Sequence, residues 1–227
     1  MLELYVGNKN YSSWSLRPWV LLRALEIPFT EHLKPFIAGG SEAEFRSFSP
    51  TGRVPCLHDG GTVVWDSLGI TEYLAERYPQ IWPADAAART WARCASAEMH
   101  SGFGALRNRC SMNCGVRIRL PGIPQDLAAD LARLNALWNE GLSRFGGPFL
   151  AGTKFTAADA FYAPVVFRAL TYSLPITGAA AGYVEHMLAL PAMKAWYDAG
   201  LAETFREVNH EEDVKMAGTL LQDLRAK

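Results

Sequence analysis

The feature that most constrains the fold is a change of pattern near residue 80. Before that point, short stretches that alternate with period two are interleaved with helical stretches. After it, only helical periodicity is evident, and the segment 79–83 that separates the two parts is bounded by prolines, as linkers often are. We therefore expect an α/β domain over residues 1–80 and an all-helical domain over residues 85–227.

The amino-terminal residues predict a strand, a helix and a second strand. Alternation over residues 2–6 predicts the first strand, and residues 29–33 predict the second, parallel to it through a right-handed crossover. Pro18 is expected in the first turn of the intervening helix, whose N-cap is then Ser15 or the residue just before it. The run Ser41-Glu42-Ala43-Glu44 predicts a capping box that opens a short helical turn.

A hairpin and a helix are predicted next. The run 56–58, the glycine turn Asp59-Gly60-Gly61 and the run 62–65 are typical of two antiparallel strands, so the sheet is expected to be mixed. An amphipathic helix is expected from Leu68, and Pro79 is expected to stop it.

The second half of the chain predicts helices. Residues 85–113 have helical composition, and Thr156-Ala157-Ala158-Asp159 predicts a capping box at the start of a buried helix over residues 157–170. Pro164 is expected either to kink that helix or to rely on tertiary support. A long amphipathic helix is predicted by an apolar stripe at spacings of three and four, formed by Leu127, Leu131, Leu134, Trp138, Leu142 and Phe145.

Composition narrows the choice of partners. The chain of 227 residues is 49% hydrophobic, and its 22 basic and 23 acidic residues give a formal net charge of −1. This balance favours neither nucleic acid nor a membrane surface as a partner, so a small molecule is expected instead. The start of the chain has no basic leader, and no stretch reaches the roughly 18 apolar residues of a membrane span, so a cytoplasmic protein is expected. The four cysteines follow no metal-binding spacing, and we expect free thiols and no metal.

The first candidate site is Tyr11-Ser12-Ser13-Trp14-Ser15, between a strand and the start of a helix. A hydroxyl in this position can donate a hydrogen bond to an anion that the helix dipole also stabilises. A thiol held there would be partly ionised at neutral pH, and the thiolate is the nucleophilic form. Simple capping of the helix by one of these serines explains the same residues, and both interpretations stay open.

Two further candidate sites follow in the same domain. At Arg53-Val54-Pro55, a cis proline before a strand would present a backbone amide to a peptide-like ligand. At Asp66-Ser67, the start of a helix could hold a carboxylate while the acidic side chain receives an ammonium group. Each motif taken alone is equally consistent with a purely structural role.

Taken together, a thiolate site, a backbone-pairing site and a site for an amino-acid head group correspond to the parts of glutathione. The sequence resembles the serine-type glutathione transferases over essentially its full length. This resemblance implies that the α/β domain over residues 1–80 is thioredoxin-like and binds glutathione, and that the helical bundle over residues 85–227 carries the electrophile site. The resemblance rests on the order and spacing of Ser12-Ser13-Trp14-Ser15-Leu16-Arg17, Val54-Pro55, Asp66-Ser67, Ile70-Thr71-Glu72-Tyr73-Leu74 and Thr156-Ala157-Ala158-Asp159.

The resemblance assigns a role to each motif. Ser12 would activate the thiol under the zeta and tau spacing, and Ser13 would do so under the theta spacing. Val54 would pair through its backbone with the cysteinyl part of glutathione, and the peptide bond before Pro55 would be cis.

The resemblance also assigns the two ends of glutathione. Asp66, where Glu or Gln is usual, would hold the γ-glutamyl group together with Ser67. Arg53 would meet the glycyl carboxylate, a less direct assignment because Gly40 occupies the upstream position that often carries Lys or Gln.

The implied activity is conjugation of glutathione, as co-substrate, to small hydrophobic electrophiles, as in detoxification by a homodimeric enzyme. One alternative is a non-catalytic glutathione-binding or interaction protein of the same fold. Another is a zeta-like glutathione-dependent isomerase, which Trp14 disfavours because the motif of that class has cysteine there. His100, Arg107, Asn108 and Arg109 lie on the long first helix of the helical half, whose upper end lines the electrophile pocket in relatives. Asn108 aligns roughly with a glutathione contact, but a solvated helix face explains Arg107, Asn108 and Arg109 without any ligand.

Overall fold

A computed structural model describes residues 1–37 and 39–226 of the chain. Its central element is a four-stranded mixed sheet in the order β2-β1-β3-β4. Strands β1 and β2 are parallel, whereas β3 is antiparallel to β1 and to β4. The predicted crossover unit and the predicted hairpin are therefore both confirmed. The strands are β1 (Leu2–Val6), β2 (Phe29–Leu33), β3 (Cys56–Asp59) and β4 (Thr62–Trp65).

Three helices accompany this sheet, namely α1 (Ser13–Ala24), α2 (Glu42–Phe45) and α3 (Ser67–Ala75). Helix α1 begins earlier than predicted, with Ser12 rather than Ser15 at the N-cap position, and Pro18 therefore lies inside the helix. This position is tolerable because proline deprives only one upstream carbonyl of its partner, while the surrounding helix is fixed by burial: Leu16, Val20 and Leu21 are fully buried.

The capping box predicted at Ser41 does not form. Helix α2 has only four residues, and the Ser41 side chain makes no cap hydrogen bond to it. Its Oγ instead accepts the backbone N–H of Ile37 at 2.8 Å. A helix of four residues gains little stability from a cap, and the backbone N–H of Ile37 competes with the helix amides for the Ser41 hydroxyl.

The rest of the chain is largely helical, which confirms the predicted fold class. It contains α4 (Ala86–Ser101), α5 (Gly104–Arg109), α6 (Gln125–Phe145), α7 (Ala157–Tyr172), α8 (Ala179–Ala189), α9 (Pro191–Ala202) and α10 (Val208–Ala217). Two short strands that the sequence analysis did not predict, β5 (Val116–Arg119) and β6 (Thr219–Asp223), pair antiparallel. No helix within residues 1–37 and 39–226 is long and apolar enough to cross a bilayer.

The single long helix expected over residues 85–113 is in fact interrupted. Helix α4 ends at Ser101, and α5 begins only after Phe103, whose φ of +55° is left-handed and unfavourable for a bulky side chain. The break turns the chain, so that Arg107 belongs to a separate helix instead of continuing the surface of α4.

Helix α7 is the buried centre of the helical part and packs against α1. The predicted capping box is confirmed: the Asp159 carboxylate accepts the backbone N–H of Thr156 at 2.9 Å. The same carboxylate accepts the N–H of Leu150 at 2.9 Å and the hydroxyl of Tyr183 at 3.2 Å. Pro164 lies inside the helix, which continues to Tyr172.

Candidate functional site

The start of α1 carries three serines that the structure treats differently. Ser15 is fully buried, and its Oγ accepts the backbone N–H of Gly7 at 3.1 Å and the hydroxyl of Ser12 at 2.7 Å. Ser12 is 5% exposed, whereas Ser13 is half-buried. None of the serines caps the helix through the N-cap side chain, so the capping interpretation does not account for Ser12.

The loop before these serines is fixed by the carboxyl-terminal part of the chain. The carboxylate of Glu203 accepts the backbone N–H of Lys9 at 2.7 Å. The hydroxyl of Tyr11 donates to Glu211 at 2.7 Å, and Arg225 holds the same carboxylate. Burial and the bond to Glu211 raise the pKa of Tyr11, so this hydroxyl stays protonated at neutral pH. The entrance to α1 is therefore held in place by groups about 200 residues away in the chain.

The second predicted motif lies across the cleft from the serines. The Val54–Pro55 peptide bond is cis, as the resemblance implied. Val54 is half-buried and Arg53 is exposed, and both line the cleft. The backbone of this segment is consequently available to an extended ligand on one side of the cleft.

The third motif begins α3. Asp66 has a φ of +68°, a conformation that is costly for a residue other than glycine, and its carboxylate accepts the N–H of Leu68 at 2.8 Å. Ser67 is fully buried, and its Oγ accepts a hydrogen bond from Nη1 of Arg17 at 3.2 Å. His100 Nε2 lies 3.8 Å from Oδ1 of Asp66. Burial lowers the pKa of His100, and the neighbouring arginines add to this effect.

All the predicted site residues line one cleft made of two adjoining cavities. A cavity of about 510 Å³ is bordered by Ser12 and Ser13, and a cavity of about 670 Å³ is bordered by Pro55, Asp66 and Ser67. The two cavities share walls formed by Trp14, Glu42, Arg53, Val54 and Arg107. Asn108 also borders the smaller cavity.

The prediction that Arg107 belongs to a solvated helix face is wrong. Arg107 is half-buried, and its guanidinium carbon lies 4.6 Å from the centre of the Trp14 ring. Arg17 covers the same ring at 4.1 Å, so that Trp14 contacts two guanidinium groups. Arg168 also borders the smaller cavity and is only 5% exposed, although no local sequence pattern indicated it as a site residue. The break between α4 and α5 explains the first error, since it turns Arg107 toward the cleft.

The four cysteines do not line this cleft. The cysteines are free, as predicted, and burial raises the pKa of Cys56 and raises that of Cys110 to about 11. Among residues 1–37 and 39–226, no group of three His, Cys, Asp or Glu side chains could hold a metal ion. A larger cavity of about 960 Å³ contains none of the predicted site residues.

The fold and the cleft define a class: a thioredoxin-like domain with a cis-proline segment and polar helix starts, closed on one side by helices. Comparison with known proteins identifies the family within that class. The profile described as "Glutathione S-transferase, N-terminal domain" matches residues 11–77, and "Glutathione S-transferase, C-terminal domain" matches residues 84–199. The chain belongs to the glutathione S-transferase family.

Individual relatives have low sequence identity to this chain, but the similarity extends over most of each chain. A zeta class glutathione S-transferase of Euphorbia esula is 28% identical, over 75% of this chain and 76% of its own. Glutathione S-transferase theta-1 of Mus musculus is 28% identical, over 100% of this chain and 95% of its own. The crystal structure of a glutathione transferase homolog from Burkholderia, with bound glutathione, has a TM-score of 0.65 at 22% identity, covering 88% of this chain and 97% of that one.

Proposed function

We propose that the protein is a glutathione transferase that activates the glutathione thiol for conjugation to small electrophiles. The observation that carries this proposal is the convergence of Ser12, Val54 and Asp66 on one cleft, although 54 residues of sequence separate the first from the last. Membership of the glutathione S-transferase family supports the same activity. Glutathione would lie with its sulfur at the start of α1 and its γ-glutamyl group at the start of α3.

In this arrangement, Ser12 stabilises the thiolate through a relay of hydroxyl groups. Ser15 already accepts the N–H of Gly7, so its own proton is free to be donated to Ser12 after both hydroxyls rotate. Ser12 can then donate its proton to the sulfur, next to the positive end of the α1 dipole. The thiol loses its proton to solvent, the thiolate forms the new bond to carbon, and the electrophile releases its leaving group or takes up a proton.

The remaining site residues bind glutathione without taking part in the chemistry. The backbone of Val54, beside Pro55, pairs with the cysteinyl unit, and Arg53 meets the glycyl carboxylate. Asp66 receives the ammonium group of the γ-glutamyl unit, while the hydroxyl of Ser67 and the free amides at the start of α3 hold its carboxylate.

The experiment that tests the proposal is a measurement of the thiol pKa of bound glutathione by ultraviolet absorbance of the thiolate. In the parent protein, we expect this pKa to lie about two units below the free-thiol value of about 8.5, which corresponds to about 2.7 kcal/mol. Ser12→Ala should raise the thiol pKa of bound glutathione most of the way back to the free-thiol value, because the hydroxyl donor is lost. For the same reason, kcat at pH 6.5 should fall about tenfold or more.

Three further variants sharpen the result. Ser15→Ala should raise the thiol pKa of bound glutathione by less than Ser12→Ala does, because it removes the relay and leaves Ser12 in place. Ser13→Ala separates the zeta-like from the theta-like assignment, and Ser143→Ala, on an exposed face of α6, is the matched control. If neither Ser12→Ala nor Ser13→Ala changes the thiol pKa or the rate, a serine-activated enzyme is ruled out. Bound glutathione without turnover of any electrophile would favour the non-catalytic alternative.

The quaternary structure and the division of the chain are part of the same proposal. A homodimer of a cytoplasmic protein is expected for this family, with one domain over residues 1–80 and the other over residues 85–227. Light scattering should give about twice the 25.0 kDa chain mass. A mass equal to that of one chain at micromolar concentration would contradict the dimer without affecting the proposed chemistry.

A further inference from the structure

Three guanidinium groups lie near one another behind the serines, and Asp66 offsets the charge of Arg17 only from beyond ion-pair distance. They belong to Arg17 on α1, Arg107 on α5 and Arg168 on α7. Within the described part of the chain, none of the three forms an ion pair, whereas arginines elsewhere, such as Arg133 and Arg225, pair with carboxylates. Buried charge without a partner is costly, and such an arrangement indicates a site for an anion.

Arg17 is the most deeply buried of the three, and its hydrogen-bonding capacity is only partly used. It is 3% exposed, and its Nε has no hydrogen-bond partner among the described residues. Its guanidinium carbon contacts the rings of Trp14 and Phe161 at 4.1 and 4.9 Å from the ring centres, which holds the group in place but neutralises no charge. Burial, with repulsion from Arg107 and Arg168, lowers the pKa of Arg17 to about 9, so the group is still charged at neutral pH.

The guanidinium group of Arg168 adds positive charge to the wall of the cavity that Ser12 and Ser13 also line. Its Nε donates to the carbonyl of Cys110 at 2.7 Å, which fixes the side chain. Its terminal nitrogens have no partner among the described residues, and the side chain borders the cavity of about 510 Å³ together with Ser12 and Arg107. Arg168 does not border the cavity of Asp66 and Ser67, where the γ-glutamyl group is proposed to bind.

The acidic side chains around the smaller cavity do not cancel this charge. Glu42 pairs with Arg46 at 2.5 Å, and Glu207 pairs with His210 at 2.7 Å. Asp213 is the remaining acidic group of the lining, which also contains Arg107, Arg168 and the exposed Arg53. Positive charge therefore exceeds negative charge at the place where the second substrate meets the sulfur.

We propose that the electrophile conjugated by this protein carries a carboxylate, which Arg168 and Arg107 bind on the helical side of the cleft. This inference rests on the proposed glutathione transferase function and names its substrate class. Two guanidinium groups from different helices would fix the carboxylate and so orient the reacting carbon toward the sulfur at Ser12. Arg17 contributes charge from behind Trp14 and does not contact the carboxylate.

The test uses two electrophiles of nearly the same shape, 4-chloro-3-nitrobenzoate and 4-chloro-3-nitrobenzamide. In both, the thiolate sulfur forms a bond to the ring carbon and chloride leaves with its electron pair. Because the amide is the more reactive compound toward a thiolate, each kcat/KM is divided by the uncatalysed rate constant with glutathione. In the parent protein, this normalised kcat/KM for the acid should exceed that for the amide about tenfold or more, as charged hydrogen bonds commonly allow. Arg168→Gln and Arg107→Gln should each reduce this preference to about twofold or less.

Matched variants exclude a merely structural effect. Arg117 also donates to backbone carbonyls, those of Cys114 and Val116, and lines neither cavity, so Arg117→Gln should keep the full preference for the acid. Arg168→Lys retains the charge and should retain part of the preference. Since Arg168→Gln also removes the bond to Cys110, its thermal unfolding is measured alongside, and Arg107→Gln provides the test if Arg168→Gln does not fold.

The outcomes separate this inference from the proposed function. Equal normalised kcat/KM for the acid and the amide in the parent protein would overturn the inference and leave the transferase function intact. No conjugation of either compound, or of any other electrophile, would overturn the function itself. If Arg168→Gln raises KM for glutathione and leaves the acid-to-amide ratio unchanged, the arginines bind a carboxylate of glutathione, and the inference is wrong.

Discussion

Helices α1 and α7 pack against each other, yet their first turns are built in opposite ways. At the start of α7, Asp159 is fully buried and accepts hydrogen bonds from Leu150, Thr156 and Tyr183. At the start of α1, Ser12 occupies the N-cap position, and its hydroxyl donates to Ser15 without capping any backbone amide of the helix. The polar groups at the start of α7 thus cap the helix, whereas those at the start of α1 leave the backbone amides of its first turn without a side-chain cap.

Small polar residues at the start of a helix serve two different purposes in this molecule. Serine, threonine and aspartate at the start of a helix are equally typical of capping and of anion binding. The two purposes are distinguished by whether the backbone amides of the first turn already have a partner. Asp66 at the start of α3 lies between the two cases, because it caps through Leu68 and also borders the cleft.

The largest effect on stability is expected at Asp159, at the start of α7. Asp159→Ala removes the acceptor of several buried donors, and we expect the free energy of unfolding in urea to fall by about 4 kcal/mol. Tyr183→Phe removes only one of these donors and should cost about 1 kcal/mol. The pKa of bound glutathione should not change in either variant. A loss below about 1 kcal/mol for Asp159→Ala would mean that the start of α7 is not held as described.

An intermediate effect is expected at Asp66. Asp66→Ala should lower the free energy of unfolding by about 1 kcal/mol, because the cap on Leu68 is lost. Asp66→Asn keeps the capping oxygen and should leave stability nearly unchanged. Both variants remove the charge that is proposed to bind the ammonium group, so the KM for glutathione should rise about tenfold in each. If Asp66→Asn leaves that KM unchanged, the carboxylate serves the fold alone.

The smallest expected effect is at Ser13, the first residue of α1. Its hydroxyl makes no cap bond, so Ser13→Ala should raise the free energy of unfolding by about 0.5 kcal/mol through the higher helix propensity of alanine. Urea unfolding of the two proteins under identical conditions measures the difference. A loss of about 1 kcal/mol instead would indicate that Ser13 caps α1, and the contrast with α7 would then fail.

The sequence predicted the elements whose signals are local. The order of β1 to β4, the hairpin, the capping box of α7 and the cis bond before Pro55 were all confirmed. The start of α1 was placed too late, because Pro18 suggests a first turn and only packing shows that the helix tolerates it further inside. The pairing of β5 with β6 escaped prediction, since more than 95 residues separate the two strands.

The arginine cluster could not be predicted for a related reason. Arg107 and Arg168 lie about 60 residues apart, on helices whose local patterns give no sign that they meet. One local signal was present: glycines at positions 102 and 104 flank Phe103, and glycine pairs often mark a break in a helix. The proposed roles of Ser12, Arg53, Val54, Asp66 and Ser67 stay predictions until glutathione binding is measured.

The tie between Arg225, Glu211 and Tyr11 has a practical consequence for handling the protein. Proteolytic trimming near residue 218 would remove β6 and Arg225, leave every proposed glutathione contact intact, and still release one anchor of the loop before Ser12. A preparation that has lost its last few residues could therefore bind glutathione normally while reacting slowly. An affinity tag is better attached at Met1, which is 91% exposed, than at the other end of the chain.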